Sequence, residues 1–188
     1  MSTSTIILIV LAGIIGLLAI WLISGYNGFI KLRNGVEEAF STMDVYLKKR
    51  YDLIPNLVET VKGYATHEAG TFEKVVQARN FAQSATTIED KIAGENMLTG
   101  TLKSLFAIAE AYPDLKANTN FLDLQMQLQK LEEDIANARK YYNAVVREFN
   151  TMVESFPSNL IAGFFKFIRK PMFEVNEETE RDNVKVQF

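Results

Sequence analysis

The sequence predicts an all-α protein: a single N-terminal transmembrane helix continuing into an antiparallel up-down helical bundle of about four long helices. Three observations predict it. An uncharged apolar run fills Ile6 to Ile23. From Val36 to Met152, apolar residues recur at steps of three and four, the period of one helix face. Prolines at 55, 113 and 157 punctuate that pattern, and no segment before residue 172 alternates apolar and polar as a strand does.

The apolar run is long enough to cross a bilayer. At about 1.5 Å per residue, Thr5 to Gly25 reaches roughly 30 Å, the thickness of the hydrocarbon core. A cleaved signal peptide would need a basic n-region, a shorter apolar core and a small-residue cleavage site. Residues 1–5 contain no Lys or Arg, and Leu22-Ile23-Ser24 is a poor cleavage site, so the run reads as an uncleaved anchor. Trp21 and Tyr26 stand at its C-terminal end, where interfacial aromatic side chains belong. Lys31 and Arg33 follow the span and no basic residue precedes it. The positive-inside rule then places the bundle on the cytoplasmic side.

The first bundle helix carries Val36, Phe40, Met43, Leu47, Tyr51 and Ile54. It is expected to break at Ile54-Pro55, because proline disfavours helical geometry in the residue before it and suits the first turn of a new helix. A second helix carries Leu57, Val61, Tyr64, Phe72, Val75 and Val76 and fades in the polar run 84–87. A third carries Leu98, Leu102, Leu105, Ala109 and Tyr112 and stops at Pro113. Asn118, Thr119 and Asn120 are N-cap residues for a fourth. Its stripe of Leu124, Leu128, Leu131, Ile135, Ala138, Tyr142, Val145, Phe149 and Met152 has the spacing of a coiled-coil seam. Phe156-Pro157 ends it.

Four antiparallel helices bring the chain back to the bilayer after the fourth. The organisation expected is therefore an anchor over 1–25, a bundle over 26–157, an aromatic and basic segment over 158–171, and a polar tail over 172–188. In the third of these, Phe164, Phe165 and Phe167 alternate with Lys166, Arg169 and Lys170, a composition suited to a membrane interface. The alternative is a cap on the bottom of the bundle core with its cations outside. The tail ends Val184-Lys185-Val186-Gln187-Phe188, which reads as a short strand, a peptide for a partner, or a disordered end.

Composition narrows the chemistry. The 188 residues carry 20 basic and 23 acidic side chains, a net charge of −3, which gives no electrostatic footprint for nucleic acid. Cysteine is absent, so there is no disulfide, thiolate metal site or thiol nucleophile. The single histidine, His67, has Tyr64 three residues before it and Thr71 four after it. Neither a carboxylate-bridged di-iron pair nor a His-Glu-x-x-His zinc motif can be built on it. No Gly-x-Ser-x-Gly elbow or phosphate-binding glycine loop occurs. The expectation is a protein with no catalytic residues, no cofactor and no metal.

Polar residues on the apolar seams carry more information. Glu68 and Arg79 share the stripe of Tyr64, Phe72 and Val75. Arg50 sits beside the Leu47–Tyr51 seam, Glu110 flanks that of the third helix, and Arg139 flanks that of the fourth. A charge on a seam is costly unless paired. These five are read as inter-helix ion pairs that fix register; the competing reading is a functional pocket of Arg50, Glu68, Arg79 and Glu110.

The run from Leu47 to Val58 (LKKRYDLIPNLV), followed by Val61-Lys62-Gly63-Tyr64 and His67-Glu68, resembles the LemA family of bacterial membrane proteins. Glu110 to Asn118 (EAYPDLKAN), Ala138-Arg139, Tyr142-Asn143, Asn150 and Phe156-Pro157 are similar to that family as well. So is the ending from Lys170-Pro171 to Phe188. The resemblance implies a membrane-anchored antiparallel bundle in the inner membrane of a bacterium, and no reaction. Two roles remain open on this reading: a self-assembling, membrane-organising scaffold that forms homo-oligomers, and a regulatory adaptor. The adaptor would bind a membrane-protein client, such as a protease, through helix faces or the C-terminal tail.

Overall fold

The computed structural model describes residues 2–173. The tail segment beyond, including Val184–Phe188, lies outside the described residues. Six helices follow one another: α1 (Thr3–Lys62), α2 (Ala69–Ser84), α3 (Ile88–Ala111), α4 (Pro113–Lys116), α5 (Thr119–Glu154) and α6 (Ser158–Phe165). No strand occurs among the described residues. Four helices are long, and α4 and α6 are short. The described residues divide into two compact units, one within Met1–Ser41 and Lys140–Met172 and one of Thr42–Arg139 with Phe173.

The first break expected from sequence is not where the chain turns. Pro55 lies inside α1, which runs on to Lys62. Leu57 and Val61, assigned to the second helix, therefore belong to α1, and the turn falls at residues 63–68. Proline inside a helix removes one backbone hydrogen bond and costs about 3 kcal/mol. Two features offset that cost. Ile54, Leu57, Val58 and Val61 are all buried, so continuing the helix continues its apolar face. The carbonyl that Pro55 cannot bond is that of Tyr51, four residues earlier, and it accepts a hydrogen bond from Arg79 Nε at 2.7 Å. Arg79 on α2 replaces the missing backbone donor.

The other boundaries match their signals. Thr87 caps α3, its hydroxyl accepting from the Asp90 amide at 3.0 Å. Helix α3 ends at Ala111, before Pro113. Asn118 Oδ1 accepts from the Phe121 amide at 3.0 Å and so caps α5.

In the second unit, α2 and α3 are joined by the three residues 85–87 and lie very close together. A β-carbon on Gly94 would stand 2.7 Å from Ala82 Cα, a backbone atom that cannot step aside, so glycine sets this approach. Asp44 meets Lys91 and Arg50 meets Glu95, so α1 and α3 rise in the same direction. Phe106 lies against Phe121, and Glu95 meets Arg139, so α3 and α5 run antiparallel. This is up-down-up-down order. Its core holds Met43, Leu47, Ile54, Leu98, Leu105 and Leu115, all fully buried.

In the first unit, α1 and α5 are also antiparallel. Phe40 faces Tyr142 and Phe29 faces Phe149. A β-carbon on Gly28 would meet Met152 at 3.0 Å, and one on Gly25 would meet the Ile161 side chain of α6. The segment after α5 thus returns to α1 just past the end of its exposed apolar run.

Arg79→Met is expected to cost about 1–2 kcal/mol by leaving the Tyr51 carbonyl without its donor. In a Pro55→Ala background, where residue 55 regains an amide, the same change should cost much less. Chemical denaturation of the four proteins checks this, and an equal cost in both backgrounds would disprove the link.

Candidate functional site

Two groups of side chains stand out, one in each unit. In the second unit, Arg50 and Glu95 are fully buried and paired with each other. Glu95 also accepts from the Tyr51 hydroxyl, and from Arg139 Nη2 at 3.0 Å. The other arm of Arg50 reaches Glu132 Oε1 at 2.7 Å. Two cations and two carboxylates therefore sum to zero charge. The residues come from α1, α3 and α5, and each helix contributes at least one end of a pair. Nε of Arg50 and Nε of Arg139 are buried without an acceptor among the described residues, so the cluster is dense but not fully satisfied. Arg139 covers it with its guanidinium 5.5 Å from the Phe173 ring. A second pair, Lys91 with Asp44 at 2.7 Å, lies one turn away on the same two helices α1 and α3.

The protonation states follow from this geometry. Burial opposes the charge on Arg50, but the carboxylates of Glu95 and Glu132 outweigh it, so its pKa is raised. Burial lowers that of Arg139; Glu95 pulls it upward and the neighbouring Arg50 charge pushes it down. Burial, then the Glu95 charge, raises the Tyr51 phenol well above its usual value. The cluster is thus two guanidinium ions and a neutral phenol around Glu95. The Arg50–Glu95 pair is closed to solvent and ties α1 to α3.

The group in the first unit is α6 with residues 166–171. Helix α6 ends at Lys166, whose φ of 58° is left-handed and turns the chain back across α5. Two side chains of α5 hold the returning segment, a strap over residues 166–171. Asn150 accepts from the Lys170 amide at 2.8 Å and donates to the Lys170 carbonyl at 2.9 Å. The Tyr142 hydroxyl donates to the Pro171 carbonyl at 3.0 Å. Phe167 stacks on Phe29 with centroids 4.6 Å apart and planes 10° from parallel. Phe165 lies against Tyr26 at 4.6 Å. Phe164, by contrast, is 77% exposed and Ile168 72%, and Leu160 and Phe156 are exposed beside them.

The residues singled out from sequence distribute unevenly. Arg50 and Arg139 meet on Glu95. Arg79 does not pair with Glu68: it serves the Tyr51 carbonyl, and Glu68 precedes α2 without a side-chain cap bond. Glu110 is exposed and pairs locally with Lys116, not across a seam, because α3 ends one residue later. The pocket of Arg50, Glu68, Arg79 and Glu110 is not assembled. Of the aromatic and basic residues, Trp21, Tyr26, Phe164 and Phe165 are exposed or nearly so, whereas Phe167 turns inward onto Phe29. Lys166 and Lys170 are placed by the strap, and Arg169 pairs with Glu154 at 3.2 Å.

Glu95 and Glu132 are missing from the sequence reading. The signal for Glu95 was present. It lies three residues before Leu98 on the stripe Leu98, Leu102, Leu105, Ala109, and Lys91 lies four before that. A stripe begun at its first leucine omits the charged residues that extend it. Glu132 stands next to a seam leucine, and only the fold shows that Arg50 reaches it.

An N-terminal helix long and apolar enough to cross a membrane, running on into a helical bundle with an ion cluster in its core, places the chain in the class of membrane-associated helical-bundle proteins. The chain belongs to the LemA family, whose model matches residues 39–188. It is 24% identical to Protein LemA of Metamycoplasma hominis over 155 residues, covering 80% of this chain and 69% of that protein. It is likewise 24% identical, over 179 residues, to Magnetosome protein MamQ 2 of Paramagnetospirillum magneticum, covering 81% of this chain and 66% of the relative. Magnetosome protein MamQ of Magnetospirillum gryphiswaldense is 24% identical over 178 residues, with 81% and 65% covered. The chain thus spans about two thirds of the length of these relatives.

The raised Tyr51 pKa fixes a sign for alkaline stability. An unfolded phenol ionises near pH 10, the folded one does not, so the unfolded state binds fewer protons and stability falls as pH rises past 10.0. One such group contributes a slope of about 1.4 kcal/mol per pH unit. Thermal melts should show a steeper alkaline loss for the wild type than for Tyr51→Phe; parallel curves would contradict the buried, neutral phenol.

Proposed function

We propose that this protein is a non-enzymatic, membrane-anchored scaffold that assembles with copies of itself on the cytoplasmic face of a bacterial inner membrane, held there by a single pass of α1. The observation that supports this reading most is where the polarity goes. The most deeply buried charges, Arg50 and Glu95, are spent on each other, while the exposed apolar surface is on the outside: the run from Ile6 to Ile23, and the face of Leu160, Phe164 and Ile168. Buried charge of this kind holds helices in register. Exposed apolar surface of this extent is for contact with lipid or protein. Kinship with proteins named for the magnetosome fits a part in building a larger cellular structure.

A regulatory adaptor for a membrane-protein client is the second reading. A groove of about 340 Å³ in the second unit supports it, lined by Leu102, Phe106 and Leu128 between α3 and α5. Such an apolar groove suits a helix of another protein. Stoichiometry separates the two. The full-length chain, extracted in a mild detergent and weighed by light scattering, is expected to form a defined assembly larger than a dimer. A monomer or dimer at all concentrations would overturn the scaffold and leave the adaptor.

A further inference from the structure

The first unit contains a cleft of about 210 Å³ with a basic and aromatic lining. Arg33 of α1 and Lys166 and Lys170 of the strap surround it, over Phe149, Phe165 and Phe167. Among the described residues, no acidic side chain lines it. Among the described residues, the ammonium groups of Lys166 and Lys170 have no carboxylate partner, and Arg33 has only a long contact, 4.0 Å, to the exposed Glu37. Three converging cations in a chain of net charge −3 repel one another unless an anion joins them. The backbone holds the two lysines on this side of the cleft. Lys166 is fixed by the left-handed end of α6, and Lys170 by both hydrogen bonds to Asn150.

The position of the cleft selects the anion. Tyr26, three residues past Ile23 at the end of the exposed apolar run, touches both Phe165 and Phe167 of the lining. Arg33 is seven residues, roughly 10 Å, further along α1. Arg33 lines the cleft beside Phe165 and Phe167, the two rings that Tyr26 touches, and its long side chain is within reach of the headgroup layer. Ile168 at the edge of the cleft and Phe164 beside it stand exposed at four-residue spacing, where acyl chains would lie. The volume is below the roughly 300 Å³ at which small-molecule pockets begin, and suits a headgroup whose tails stay outside.

We propose that Arg33, Lys166 and Lys170 form a binding site for the phosphate headgroup of an anionic phospholipid, with Phe164 and Ile168 against its acyl chains. This rests on α1 spanning the bilayer and is independent of self-assembly. The site makes the lipid that borders the anchor a chosen one, through groups that a neutral headgroup would leave uncompensated.

Trp21 is the only tryptophan in the sequence and lies just below Tyr26, so its fluorescence reports the neighbouring lipid. The full-length chain is reconstituted in equal mixtures of phosphatidylcholine and phosphatidylglycerol, with brominated chains on one lipid or the other. Quenching is expected to show a preference for phosphatidylglycerol of about fivefold, the contribution of one basic side chain at a lipid surface. Lys166→Gln with Lys170→Gln should abolish the preference, and Lys48→Gln with Lys49→Gln, which changes net charge equally, should leave it. Added inorganic phosphate should leave it too; loss of the preference would mean a site for free phosphate and overturn the lipid assignment. Equal quenching by both lipids in the wild type, or a preference that survives in the Lys166 and Lys170 variant, would also overturn the proposal. Absence of quenching by either lipid would instead refute the membrane span on which it rests.

Discussion

The contact between Arg50 and Glu95 is the constraint around which the helices of the second unit are arranged. Two full charges have left water completely, at a cost of several kcal/mol each, and only close, well-directed partners return it. Glu95 meets this demand with three donors from two other helices: the Arg50 guanidinium and Tyr51 hydroxyl of α1, and the Arg139 guanidinium of α5. Apolar stripes on α1, α3 and α5 would tolerate sliding by a turn, because leucines repeat along each of them. A buried carboxylate has one acceptable register. The apolar core supplies the driving force, and the ion cluster selects which of its near-equivalent arrangements forms.

A second constraint acts on the backbone. Pro55 denies Tyr51 its helical donor, and Arg79 provides one from α2. The same residue, Tyr51, thus has its hydroxyl tied to α3 and its carbonyl tied to α2. This explains why a helix carries proline through its interior without ending. It also explains why reading the sequence placed the turn too early: the rule that proline breaks a helix assumes that no side chain from elsewhere repays the lost bond. The helix period, the Thr87 and Asn118 caps and the stop at Pro113 were legible because their signals are local. Arg50 and Arg139 were legible as charges on seams. Their partner Glu95 was not identified, because its stripe was read only from its leucines, and the roles of Glu68 and Glu110 were not, because exposure at a helix end depends on where the helix stops.

At the other end of the chemistry, the first unit uses backbone clamps where the second uses ions. Asn150 and Tyr142 hold the strap from Lys166 to Pro171 by its main chain, leaving the Lys166 and Lys170 side chains to line the cleft with Arg33. The aromatic and basic composition of this segment suits either a membrane interface or a cap on the bundle core. It did not announce a division of labour in which Phe167 stacks into the bundle while Phe164 remains outside. Adjacent aromatic residues on a short helix and its exit point in different directions, and composition alone carries no direction.

The account stands on the coupling between Arg50 and Glu95. A double-mutant cycle of Arg50→Met and Glu95→Leu, followed by urea denaturation, measures it directly. Each single change removes the fully buried partner and leaves the other charge with one ion-pair partner, Glu95 with Arg139 or Arg50 with Glu132, and is expected to cost about 3 kcal/mol. The double variant replaces the pair by apolar groups and should recover at least about 2 kcal/mol of the summed loss. Additive costs, agreeing within about 0.5 kcal/mol, would show that the two residues act independently. The register of α1 and α3 would then have to be set by packing alone.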